Sequence, residues 1–114
     1  MARRTKQRLP RKTRREELQF ELEKIMHKDK VYYEPPENIK MTYPCIVYLR
    51  DDISLRKADN GTYNHQTRYQ ITYIDVEPDS DKIDQLLESI EGISYSRHFV
   101  ADGLHHDVFY VYRY

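Results

Sequence analysis

The sequence predicts an α+β fold: an N-terminal helix, an antiparallel β-hairpin, a second helix and a second β-hairpin. Together these form a mixed or antiparallel sheet flanked by the helices. Three observations carry this. Apolar residues recur at helical spacing in two separate stretches. Alternating apolar and polar runs lie on either side of Asp59-Asn60-Gly61 and of Asp102-Gly103, both strong turn signals. A length of 114 residues suits one domain and is too short for two ordinary ones.

The first element is a basic arm, residues 1–15, preceding a single domain at 16–114. Arg3, Arg4, Lys6, Arg8, Arg11, Lys12, Arg14 and Arg15 fall within it and no acid does. Pro10 interrupts helix propagation there, so the arm is expected to be flexible on its own. The whole chain has 19 basic and 19 acidic residues and zero formal charge, yet beyond residue 15 there are 11 cations against 19 acids, a net −8. An acidic body thus carries a basic arm.

At Thr13 the pattern changes. Thr13 and Glu16 have capping-box spacing, and Leu18, Leu22, Ile25 and Met26 recur on one face, predicting an amphipathic helix that ends near Lys30. Val31, Tyr32 and Tyr33 then form a short strand before Pro35-Pro36, which cannot donate to a ladder. In the next strand Cys45, Val47 and Leu49 alternate with Ile46 and Tyr48, giving a strand buried at its start whose charged continuation projects outward. The turn Asp59 to Gly61 leads to a partner strand over residues 63–76, on which Tyr69, Ile71 and Tyr73 share the packed face.

After Pro78, Asp79 or Ser80 caps a second helix with Ile83, Leu86, Leu87 and Ile90 at helical spacing and Gly92 as its stop. Residues 94–101 and 107–112 form the second hairpin around Asp102-Gly103. In the last strand Val108, Tyr110, Tyr112 and Tyr114 alternate with Phe109 and Val111, so both faces want cover.

Several chemistries are excluded or weak. No run approaches the roughly 20 apolar residues of a membrane span, and no apolar segment of a secretory signal follows the charged terminus. A lone Cys45 permits no internal disulfide, which fits a reducing cytosol, and without secretion Asn60-Gly61-Thr62 reads as a turn. Cys45 follows Pro44 in an apolar strand, where a buried inert thiol is expected. Asp102, His105, His106 and Asp107 form the most suggestive polar cluster. Consecutive strand histidines point to opposite faces, however, so they are expected to bond locally and not to share a metal. No cofactor and no enzymatic activity are expected. Eleven tyrosines with no tryptophan and three phenylalanines favour subunit contacts, with ordinary core packing as the alternative.

The ordered series YPCIVYLRDDI, ADNGTY, RYQITYID, EPDSDKIDQL and HFVADGLHHDVFYVY resembles the tail terminator or tail completion (head-tail joining) proteins of tailed bacteriophages, over about 70 residues from Tyr43 onward. The resemblance implies a virion structural protein at the head-tail interface, assembled in the bacterial cytoplasm. It implies a ring, expected to be a hexamer, that caps the tail tube and joins it to a head completion or connector protein. DNA would pass through the lumen without sequence-specific binding. On that reading the expected partner interface is Arg50, Asp51, Asp52, Arg56 and Lys57 with Asp59, Asn60 and Gly61, plus the basic arm. Glu77, Asp79, Asp81 and Asp84 are candidates for an acidic lumen, with a solvated helix start as the preferred alternative. The arm has no counterpart in the family pattern; it suits an acidic neighbouring surface or phosphates. The competing reading is a small nucleic-acid-binding module that uses the arm, with aromatic strands stacking on bases.

Overall fold

The computed structural model describes residues 13–57 and 63–113, excluding the side chains of residues 56, 57, 63 and 64. The elements are α1 (Arg14–Ile25), a 3-10 turn (Lys28–Lys30), β1 (Val31–Tyr33), β2 (Cys45–Lys57), β3 (Tyr63–Asp75), α2 (Asp81–Ser89), β4 (Ile93–Ala101) and β5 (Leu104–Arg113). This is the expected α+β architecture, two helices flanking one five-stranded mixed sheet of order β1-β2-β3-β5-β4. The hairpin turn expected at Asp59 to Gly61 lies outside the described residues.

The capping box is present: Glu16 N–H donates to Thr13 Oγ1 at 3.1 Å and Thr13 N–H to Glu16 Oε1 at 2.9 Å, satisfying two backbone donors reciprocally. Arg14 and Arg15, counted with the arm by charge, are therefore the first residues of α1. The helix stops five residues before the expected Lys30. Met26 and His27 are extended, and His27 Nδ1 accepts from Asp29 N–H to start the 3-10 turn. The early stop aligns Val31–Tyr33 for parallel pairing with Ile46–Tyr48, a long-range demand that periodicity does not register.

Ser80, one of the two expected caps, begins α2 by accepting from Lys82 N–H. Gly92, at φ +82°, turns the chain into β4, where a Cβ would meet the Tyr112 carbonyl oxygen at 3.1 Å. Asp102 (φ 54°) and Gly103 (φ 74°) make the expected turn between β4 and β5, both in the left-handed region that a two-residue hairpin favours.

Both helices pack on the same face of the sheet. Leu18, Leu22 and Met26 from α1 and Leu86 and Ile90 from α2 join Ile46, Tyr48, Tyr69, Ile71, Tyr73, Phe109 and Val111 in one buried cluster. This uses the predicted face of β3 and the Ile46/Tyr48 face of β2, and it leaves Tyr110 and Tyr112 on the side away from the helices. Tyr112 is 40% exposed there. Tyr48, Tyr69 and Tyr73 take the core role, while Tyr43, Tyr95 and Tyr112 are exposed.

Candidate functional site: a basic cleft beside the long hairpin

The β2–β3 hairpin outruns its neighbours. Among the described residues β1 covers β2 at residues 46–48 and β5 reaches β3 no further than Thr67, so residues 54–57 and 63–66 pair only with each other. A register shift between Arg50 and Asp52 lies just before this ribbon. Leu55 on its helix-side face is 62% exposed, and Ile53 at its base is 46% exposed.

Where the ribbon passes the start of α1 it forms a cleft of about 300 Å³ lined by Thr13, Arg14, Arg15, Tyr33, Arg50, Ile53, His65, Thr67 and Tyr69. The capping box places Arg14 and Arg15 here, and the pairing of Arg50 with Tyr69 brings the third arginine alongside. Arg15 lies 4.8 Å from the Tyr33 ring centre and donates to the Tyr48 hydroxyl at 3.4 Å. That hydrogen bond is the main reason its guanidinium pKa is raised further. The Tyr48 hydroxyl in turn donates to Gln19 Oε1. Burial pushes the Tyr69 phenol above its ordinary range, against the opposing pull of Arg50, Arg14, Arg15 and Arg113.

Among the described residues no carboxylate lines the cleft. Glu34 Oε2 is occupied by Arg50 N–H and Glu16 Oε1 by the helix cap. Such an array of guanidiniums and hydroxyls is suited to an anion, because arginine forks match carboxylate and phosphate oxygens in pairs.

The structure separates the other expected interface residues. Asp51 is engaged by Arg68 at 2.7 Å, a link within β2–β3 that ties down its carboxylate. Asp52 is exposed. Arg56 and Lys57 lie on the projecting ribbon opposite Asn64 and Tyr63. Asp59, Asn60 and Gly61 lie outside the described residues, as do the arm residues Arg3, Arg4, Lys6, Arg8, Arg11 and Lys12. By sequence Arg14 and Arg15 belong to the basic arm and Arg50 to the first hairpin; their convergence, and the parts played by Tyr33, His65 and Thr67, follow only from the register.

His105, His106 and Asp107 of the second hairpin are engaged locally. His106 Nδ1 lies 3.1 Å from Leu104 O, and its ring stacks on Phe99, while His105 bonds and stacks with His98 across the β4–β5 hairpin. Asp107, 5% exposed, accepts from the Tyr95 hydroxyl at 2.8 Å. Cys45 is fully buried, and burial pushes its thiol up to about 11, well away from a reactive thiolate. Among the described residues no group of three or more His, Cys, Asp or Glu is placed to hold a metal ion, and no helix is long and apolar enough to cross a membrane.

Comparison with protein-family models and with curated proteins gives no match for the chain.

Proposed function

We propose that the chain is a structural protein of a tailed-bacteriophage virion, a tail terminator that closes into a ring of six copies, caps the tail tube and joins it to the head connector. One observation carries the assembling role: the β2–β3 ribbon projects past the sheet while exposing Leu55, with Ile53 exposed at its base. A two-stranded ribbon is marginal by itself in water. Apolar side chains on such a ribbon gain cover when another protein surface packs on them. The resemblance of the segments from Tyr43 onward to tail terminator proteins supports the choice of family.

The mechanism is geometric. Tube growth stops when the exposed ring face no longer matches the next tube ring, and attachment follows because that face matches the connector. No bond is made or broken. Native mass spectrometry of the purified chain, alone and with tail tube protein, tests this. Six copies, free or on tube ends, are expected; a strict monomer that ignores tube protein overturns the proposal.

The basic cleft favours one second reading, a module that binds nucleic-acid phosphates. It would show DNA binding that weakens steeply with salt and is lost on Arg50→Glu.

A further inference from the structure

We propose that the basic cleft is a docking site for the acidic start of α2 on a second copy of this chain. This rests on the assembling role proposed above and names the surfaces that meet. Among the described residues neither Arg14 nor Arg50 has a carboxylate within ion-pair distance. Arg15 is already held in place by Tyr33 and Tyr48, so little side-chain freedom is lost when an anion arrives.

The complementary surface is at the opposite end of α1. Over residues 75–91 the chain carries seven acids and one lysine. That lysine, Lys82, is turned toward α1, donating to Ile25 O at 3.1 Å. Glu77, Asp79, Asp81 and Asp84 are exposed, and Val76, 58% exposed, stands among them. An apolar side chain within an acidic edge matches a cleft in which the arginines share the lining with exposed Ile53.

One molecule cannot close this contact on itself. α1 has twelve residues, about 18 Å at 1.5 Å per residue, and separates the two surfaces. Its ends are pinned through Arg15–Tyr48 and Ile25–Lys82. The contact therefore joins unlike surfaces of two copies, the heterologous geometry that closes into rings when the rotation permits. Because opposite charges are segregated on a chain of zero formal charge, each added copy presents attraction at both ends.

The test is sedimentation velocity of the full chain at low and high salt, with two charge-reversal variants at exposed sites: Arg50→Glu, and Glu77→Lys combined with Asp79→Lys. Circular dichroism establishes that each variant folds. Each alone is expected to assemble at least about tenfold more weakly than the parent chain, and high salt to weaken the parent. An equimolar mixture of the two is expected to recover mixed complexes, since each supplies the surface the other lacks. Variants that assemble like the parent overturn the docking proposal and leave the structural role standing. A parent chain that assembles neither alone nor with tube protein overturns both. DNA binding lost in Arg50→Glu, with assembly unchanged, assigns the cleft to phosphate and also overturns it.

Discussion

Arg113, the last described residue of β5, reaches Glu21 in the middle of α1, donating two hydrogen bonds of 3.0 and 2.8 Å to the two carboxylate oxygens. The pair spans 92 residues of sequence and closes the final strand onto the first helix. Its Nη2 also donates to Glu91 O at 3.2 Å. The Arg113 side chain is 16% exposed, so its charge would be poorly solvated without its partner. Glu21→Ala is expected to cost about 1–3 kcal/mol, as for a charged hydrogen bond with one partner removed. Arg113→Lys should recover only part of the parent stability, because an ammonium cannot reproduce the paired geometry. Urea denaturation of both variants measures this.

Gly92 and Gly103 both have positive φ but differ in surroundings. A Cβ at Gly92 would meet Tyr112 O at 3.1 Å, whereas a Cβ at Gly103 meets nothing within 4 Å. Gly92→Ala is expected to lower the melting temperature more than Gly103→Ala. Gly103→Asn should be nearly neutral, since asparagine tolerates this backbone conformation. Thermal melts of the three variants rank them.

Asp75 is 6% exposed and depends on Tyr73, whose hydroxyl donates to Oδ2 at 2.6 Å; Oδ1 takes Glu77 N–H at 3.1 Å. Tyr73→Phe keeps the ring and removes the donor. The expected loss is about 1–3 kcal/mol from a buried carboxylate oxygen left unsatisfied. If Asp75→Asn is added, part of that loss should return, because an amide costs less to bury than a charge. The double-mutant cycle in denaturant checks the sign.

Burial raises the Cys45 thiol from an ordinary 9.0 to about 11, and burial likewise raises Tyr48 and Tyr73. Between pH 9 and 11 the folded state therefore holds protons that the unfolded state has lost. Stability present below pH 9 is lost as pH rises through that window. For Cys45 the difference is worth up to about 3 kcal/mol. Urea midpoints should be level from pH 7 to 8.5 and fall above 9, with Cys45→Ala showing a shallower fall. Modification by a thiol reagent at neutral pH should be slow in the native protein and fast in urea.

The sequence by itself determined what local chemistry enforces. Thr13 and Glu16 cap α1 because their side chains need only each other's backbone. Asp102 and Gly103 turn because they tolerate positive φ, and Tyr69, Ile71 and Tyr73 share a face because a strand alternates. The tertiary structure decided what depends on partners distant in the chain. The parallel pairing of β1 with β2 ends α1 at Ile25 and sets the strand order, and two helices on one face leave Tyr110 and Tyr112 on the other. Arg50 meets Arg14 and Arg15 only because the β2–β3 register sets it beside Tyr69, under the capped end of α1. Propensity and periodicity act over a few residues, whereas these placements are set by how one packed layer sits on another.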